Sequence, residues 1–196
     1  MEGTLLIVLG YILGSISFST LVARKMAGID IREHGSRNAG ATNTLRVLGV
    51  GPALFVLVLD TLKGVIPVLL AMRITGEPSW IVLSGLAAII GHNWPVFFSF
   101  RGGKGVATTI GVATSFAFIP SLIAGMFAMI VIILFRYVSV GSLCFVSLLP
   151  VMLFIFQYPL PYILGTFVIG LLSFWRHRTN IIRLVQGKEN KLGGRP

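Results

Sequence analysis

Apolar segments long enough to cross a bilayer recur along this chain, and they constrain its fold more than any other feature. The segment 51–72, for example, carries only Asp60 and Lys63 as charged side chains. A helix needs about 20 apolar residues to cross the hydrocarbon core, and it pairs its own backbone amides there. With 55% hydrophobic and 11% charged residues, the 196-residue chain is predicted to be an integral membrane protein.

The hydropathy pattern predicts an all-α membrane protein with about seven transmembrane helices. We place them at 4–23, 51–72, 80–93, 106–118, 120–135, 139–156 and 160–174. The third and fourth segments are short for a full crossing and could instead form a re-entrant pair. Because the apolar segments follow one another without a linker or a repeat period, we expect a single domain over residues 1–196.

Lys and Arg residues are concentrated in alternate loops of this topology. They follow the first predicted span, the third span at Arg101 and Lys104, and the seventh span over 176–195. Because positive charge is retained in the cytoplasm, we expect the N-terminus outside and the C-terminus inside the cell. A net charge of +10 then indicates contact with anionic lipid and an anionic substrate, and the pattern does not favour a nucleic acid. The active site is predicted on the cytoplasmic side.

The segment 91–109 is the most polar interruption between two apolar segments. Gly102, Gly103 and Gly105 lack a Cβ, so a phosphate could approach their amides closely. Lys104 adds positive charge, and the N-terminus of a helix predicted to begin after the glycines adds more. The spacing of a Walker loop is absent. The pattern therefore predicts a phosphate site, and a plain glycine-rich turn at the headgroups is the weaker interpretation.

Two further polar segments are predicted on the same side of the membrane. The loop 35–46 is rich in hydroxyl and amide side chains and contains two arginines, whereas 176–190 combines basic residues with His177 and Asn180. The first could bind phosphate or simply cap helix N-termini. The second could be a tail that grips anionic lipid, although that role does not explain His177 and Asn180.

The inventory of reactive side chains excludes several mechanisms. Six acids and three histidines do not cluster at metal-ligand spacing, so we expect no metal. A His-x4-Asp dyad is also absent, since the fifth residues after the three histidines are Ala39, Phe97 and Ile182. With no conventional general base in the sequence, catalysis would depend on positioning and charge neutralisation of phosphorylated substrates.

The three polar segments resemble the motifs of a known family. Segments 35–46, 91–109 and 177–190 are similar, in order and across essentially the whole chain, to those of the integral-membrane PlsY type of acyl-phosphate-dependent glycerol-3-phosphate acyltransferases. The resemblance implies transfer of a fatty acyl group from acyl phosphate to the 1-hydroxyl of sn-glycerol 3-phosphate in bacterial phospholipid synthesis. It also implies a location in the bacterial inner membrane, no cofactor and no obligate protein partner.

The same resemblance implies roles for individual residues. The glycerol phosphate anion would be held by Ser36, Arg46, Lys104, His177 and Asn180. The acyl phosphate head would contact Asn38, Thr42, Asn43, His92 and Asn93, and Gly102, Gly103 and Gly105 would shape the loop. A phosphate oxygen of a substrate would accept the hydroxyl proton. Glu189 is expected to anchor a nearby cation.

A second class of function stays open at this point. Cations, glycines and short helices at membrane depth are also typical of a transporter for an anionic phosphorylated metabolite. A membrane phosphatidate phosphatase is disfavoured, because its Ser-Arg-x5-His pattern would need His where Asn43 stands.

Overall fold

The computed structural model describes residues 1–193 and contains helices and loops over that range. Its α-helices, in chain order, are α1 (Glu2–Gly14), α2 (Phe18–Ala27), α3 (Ala41–Leu48), α4 (Val50–Ile74), α5 (Pro78–Asn93), α6 (Val106–Phe116), α7 (Phe118–Phe135), α8 (Val138–Ile155), α9 (Leu160–Arg176) and α10 (Arg178–Val185). Short 3-10 turns occur at Ile31–Glu33 and Val96–Phe98. Each of the seven predicted segments is helical over most of its length, which confirms the all-α class.

Five stretches are long and apolar enough to cross a membrane. They are Glu2–Ala27, Val50–Ile74, Pro78–Phe98, Phe118–Phe135 and Val138–Ile155, and the shorter apolar helices Val106–Phe116 and Leu160–Arg176 accompany them. The long helices expose large apolar side chains, such as Phe127, Ile133 and Phe154. Such surfaces are unfavourable in water and suit contact with lipid. The chain is therefore a multi-pass membrane protein.

The first span is interrupted, whereas the sequence predicts one helix over 4–23. Ser15 ends α1, and Ser17 has a non-helical ψ of 85° before α2 begins. The carbonyl of Ile16 accepts a hydrogen bond of 2.7 Å from Lys63 Nζ on α4. A break inside a membrane span is tolerated when neighbouring groups satisfy the freed backbone, and Lys63 does so here.

The chain forms two compact units, Met1–Phe116 and a second that begins at Ala117. In the first unit, α1 packs against α4 and α5, and α4 packs against α6. Glycine makes these approaches close: a Cβ on Gly14 would overlap the carbonyl of Ala88, and one on Gly111 would overlap that of Thr61. In the second unit, α8 packs against α7 and α9. Packing through small residues is the usual way for helices to associate in lipid.

The loop between α2 and α3 is held down by its own small core. Ile31 and Ala39 are fully buried against Ala23 of α2, with Val47 and Leu48 of α3 beside them. These apolar anchors lie on both sides of the polar residues 34–38, so that this part of the loop is held in place while its side chains stay accessible.

Candidate phosphate site

The glycine loop, residues 102–105, lies against the end of α5. The amide of Gly103 donates to the carbonyl of His92 at 3.1 Å. A Cβ on Gly103 would overlap the carbonyl of Ala39 and the imidazole of His92, and one on Gly102 would overlap the carbonyl of His92. These contacts give a reason for glycine beyond the one predicted from the sequence, because the loop must fit between two backbone segments before it can bind anything.

Lys104 lies between Gly103 and Gly105, two residues before α6 begins at Val106. Its side chain is partly buried, and Gly105 turns the chain with a φ of +81°. A left-handed residue at this point favours glycine. The predicted combination of a lysine, glycine amides and a helix N-terminus is thus present within four residues, and it suits an anion.

Asn43 organises the neighbouring loop, the segment 31–36. It lies in the first turn of α3, and its Oδ1 accepts from the amide of Ser36 at 2.8 Å. Its Nδ2 donates to the carbonyls of Ile31 and His34, both at 3.0 Å. Because both ends of this buried amide form hydrogen bonds within the loop, they indicate a structural role for Asn43. Its contact with a substrate stays a prediction.

The other predicted residues of this segment surround Asn43. Ser36 and Asn38 are half-buried in the loop, Thr42 is half-buried in the first turn of α3, and Arg46 is exposed in its last turn. The loop that carries Ser36 and Asn38 touches the glycine loop where the Ala39 carbonyl faces Gly103. The structure therefore brings the first two polar segments together, as the sequence predicts.

Arg32 joins the two loops, and sequence reasoning missed it. Its guanidinium donates to the Phe98 carbonyl at 2.7 Å and pairs with Asp30 at 2.6 Å. Hydrogen bonds from Arg32 hold the pKa of the Asp30 carboxyl well below its usual range. An Asp-x-Arg pattern is too short and common to predict such a contact. Arg32 thereby fixes the turn after α5 relative to the loop that carries Ser36.

His92 and Asn93 are buried at the last turn of α5. Asn93 Oδ1 lies beside Gly105, and neither polar atom of that side chain has a hydrogen-bond partner within the described part of the chain. His92 Nδ1 lies 3.7 Å from Asp60 Oδ1 on α4. Asp60 in turn pairs at 2.8 Å with Lys63, which lies three residues further along α4.

The third polar segment belongs to the second unit. Its sequence predicts one continuing helix, but α9 ends at Arg176 and α10 starts at Arg178, with His177 at the junction. His177 is buried and its Nδ1 lies 2.8 Å from the carbonyl of Ser173. A carbonyl oxygen can only accept a hydrogen bond, so Nδ1 of His177 carries a proton.

Glu189 fixes Asn180 through three hydrogen bonds. Its Oε1 accepts from Asn180 at 2.6 Å and from Ser139 at 2.9 Å, and its Oε2 accepts from Arg183 at 2.8 Å. Burial by itself would raise the pKa of this carboxyl, but the three hydrogen bonds outweigh burial and lower it. The expected anchoring role of Glu189 is confirmed, and the network orients the Asn180 amide.

No group of three His, Cys, Asp or Glu side chains within residues 1–193 is placed to hold a metal ion. The glycine loop itself offers the Lys104 ammonium and backbone amides, and the Asn93 amide lies beside it. This set recognises an anion by charge and hydrogen bonding. The fold and these contacts define the class: a multi-pass helical membrane protein with a cationic glycine loop.

Comparison with known proteins identifies the family. The family model described as glycerol-3-phosphate acyltransferase matches residues 4–187, and the chain belongs to this family. It is 56% identical to the glycerol-3-phosphate acyltransferase of Shouchella clausii, over 95% of this chain and 94% of that one. It is 54% identical to that of Halalkalibacterium halodurans, over 97% and 96%.

Two solved structures are similar over nearly the whole chain. One is the crystal structure of PlsY, an integral membrane glycerol 3-phosphate acyltransferase, in its glycerol 3-phosphate form, with a TM-score of 0.94, 39% identity and coverage of 98% of this chain and 96% of that one. The other is the lysophosphatidic acid form, with a TM-score of 0.91, 38% identity and coverage of 97% and 95%. The resemblance drawn from the three motifs is confirmed.

Proposed function

We propose that this protein transfers a fatty acyl group from acyl phosphate to the 1-hydroxyl of sn-glycerol 3-phosphate, in the cytoplasmic membrane of a bacterium. The products are lysophosphatidic acid and inorganic phosphate. The observation that carries the proposal is the glycine loop, in which Lys104 stands between two glycines at the head of α6. Relatives named for this acyl transfer, and similar over almost the full length of the chain, support the acceptor.

We assign the phosphate of glycerol 3-phosphate to the residues that the motifs single out. These are Ser36, Arg46, Lys104, His177 and Asn180. Lys104 neutralises charge, and the glycines let the phosphate approach the backbone. Asn180 donates to Glu189, and this contact orients the amide that we assign to the ligand. His177 is held in place by the contact of its Nδ1 with the Ser173 carbonyl.

We assign the acyl phosphate head to the residues around the glycine loop. The candidates are Asn38, Thr42, Asn43, His92 and Asn93, and Asn43 also shapes the loop. Asn93 is the most suggestive of them, because its buried amide has two polar atoms without a partner in the described chain and lies beside Gly105. An incoming phosphate or carbonyl oxygen could accept from that amide. The acyl chain would lie among the apolar helices and reach the lipid.

The proposed reaction needs no side chain as a general base. The 1-hydroxyl oxygen attacks the acyl carbonyl carbon, the bond from that carbon to the phosphate oxygen breaks, and inorganic phosphate leaves with the electron pair. A phosphate oxygen of a substrate accepts the hydroxyl proton. A mixed anhydride has a good leaving group, so the residues mainly position the two substrates and neutralise their charge.

The direct test is an assay of the purified protein in lipid nanodiscs with radiolabelled glycerol 3-phosphate. Acyl phosphate, acyl-CoA and acyl carrier protein are offered separately as donors. We expect labelled lysophosphatidic acid with acyl phosphate alone. Product formed from acyl-CoA or acyl carrier protein but not from acyl phosphate would show that acyl phosphate is not the donor. Uptake of label into proteoliposomes without acylation would favour the transporter, a class that the break in the first span makes worth testing.

A further inference from the structure

A buried ion pair lies on α4, and neither of its two residues is among those assigned to substrate. Asp60 is 1% exposed and Lys63 is 3% exposed, and their charged groups are 2.8 Å apart. Burying an ion pair is rarely more favourable than burying apolar side chains of the same size, and at membrane depth charges are costly. Stability alone is therefore a weak reason for this pair.

Lys63 holds the pair in a fixed place. Its ammonium donates to the Ile16 carbonyl at 2.7 Å, where the first span is interrupted, and lies over the ring of Phe18 at 5.6 Å. The lysine is thus bound to the break between α1 and α2, and it leaves Asp60 little freedom to rotate.

Asp60 faces His92 on its other side. Asp60 Oδ1 lies 3.7 Å from His92 Nδ1, longer than a hydrogen bond but within the range of a strong electrostatic contact between buried groups. A carboxylate can only accept, so it favours a proton on the nitrogen that faces it. In the neutral ring, Nε2 is then the nitrogen with the lone pair.

His92 contacts the glycine loop with both its ring and its backbone. Its carbonyl accepts from the amide of Gly103, and its ring occupies the space that a Cβ on Gly103 would need. The imidazole therefore lies directly against the residue next to Lys104. A chain of contacts runs from the break in the first span through Lys63, Asp60 and His92 to the glycine loop.

We propose that Asp60, held by Lys63, is a positioning residue that fixes the imidazole of His92 and through it the glycine loop at 102–105. This inference rests on the proposed function. An ion pair inside the membrane thereby helps to set the geometry of a site at the end of the helices.

The test compares kcat and KM for both substrates in Asp60→Asn/Lys63→Met, His92→Gln and the triple variant, together with melting temperatures. Removing both charges avoids a buried unpaired lysine. We expect the double variant and His92→Gln each to lower kcat/KM by roughly 10-fold to 100-fold. The kcat/KM of the triple variant should be no more than about threefold below that of the less active of these two variants. The reason is that the effects of groups that act through one contact are not additive.

Thr61→Val is the matched control. Thr61 lies next to Asp60, but its hydroxyl donates only back to Leu57 of the same helix in the described structure. The activity of the Thr61→Val variant should equal that of the wild type. If the wild type and this control transfer no acyl group from any donor, the proposed function has failed; if both are active, the variants test Asp60 alone.

A purely structural pair would give a different pattern. The folded double variant would keep wild-type activity, or its loss would multiply with that of His92→Gln, and either result would overturn the proposal. If the double variant does not fold, Asp60→Glu keeps the charge beside Lys63 but moves it relative to His92, and kcat/KM should fall by about 10-fold at an unchanged melting temperature. Unchanged activity in Asp60→Glu, or failure of every Asp60 variant to fold, would also overturn it.

Discussion

The glycine loop at 102–105 and the segment 177–189 position polar groups in opposite ways. The glycine loop is fitted by its backbone: Gly103 donates to the His92 carbonyl and lies against the Ala39 carbonyl. In the segment 177–189, the carboxylate of Glu189 binds three side chains, two from the segment itself and that of Ser139 from α8. A backbone fit fails when a single atom is added, whereas a side-chain network can lose one bond and keep the others. Mutations in the two regions should therefore differ in severity.

The largest effect is expected from Gly103→Ala. The added methyl group would meet the carbonyl of Ala39, which cannot move aside as a flexible side chain can, and also the ring of His92. We expect acyl transfer to fall by more than about 100-fold through overpacking. Gly125→Ala is the matched control, because a Cβ there meets nothing within 4 Å. Equal activities of the two variants would remove the distinction between the regions.

Lys104→Gln should have the next largest effect. The ammonium is expected to neutralise the phosphate of glycerol 3-phosphate, and losing a charge-assisted contact costs a few kcal/mol, or roughly tens to hundreds of fold in kcat/KM. The melting temperature should stay within a few degrees of the wild type. Lys104→Arg should keep part of the activity if charge dominates, and little if the loop fits tightly. Unchanged kinetics in a folded Lys104→Gln preparation would exclude the loop as the anion site.

Glu189→Gln should cost less, roughly 10-fold in kcat/KM, because two of the three donors can still bind the amide oxygen. Arg183 would lose its charged partner, and Asn180 would bind a neutral oxygen, which is a weaker acceptor than the carboxylate. Glu77→Gln, at an exposed carboxylate, is the control. A full loss of activity in Glu189→Gln would mean that this network is as sensitive to a single substitution as the glycine loop.

The same carboxylate predicts a pH dependence. The pKa of Glu189 is lowered on folding from its ordinary value of 4.5, so its stabilisation is complete above that pH and is lost as the pH falls through the folded pKa. The melting temperature of the wild type should therefore approach that of Glu189→Gln as the pH falls below 4.5. A gap between the two proteins that stays constant down to acid pH would contradict the assignment.

Cysteine labelling compares the regions with the least disturbance to activity. In a Cys144→Ala background, Glu33→Cys, Gln186→Cys and Glu77→Cys are treated with an impermeant thiol reagent in intact cells. All three positions are exposed in the structure. The distribution of Lys and Arg predicts that only the Glu77 position reacts before the membrane is permeabilised. Ready labelling at Glu33→Cys or Gln186→Cys would reverse the proposed orientation.

The amino-acid sequence was sufficient for the class of the fold and for the polar segments of the site. Apolar segments near 20 residues leave few alternatives to helices, since lipid cannot pair exposed amides. The boundaries of α4 and α7 are close to the predicted ones for this reason. Spacing of Gly, Lys and Arg between Gly91 and Thr109 was enough to predict a phosphate site, because each of these residue types contributes locally.

Only the tertiary structure decided how the polar residues are used. The break in the first span depends on Lys63, which lies 47 positions further along the chain from Ile16. The contact of Arg32 with Phe98 joins positions 66 apart, and Asp60 meets His92 from another helix. The sequence also could not tell that Asn43 binds its own loop. Local patterns encode periodicity and turn chemistry, but a hydrogen bond between distant residues depends on which helices pack together, and that is settled when the whole chain folds.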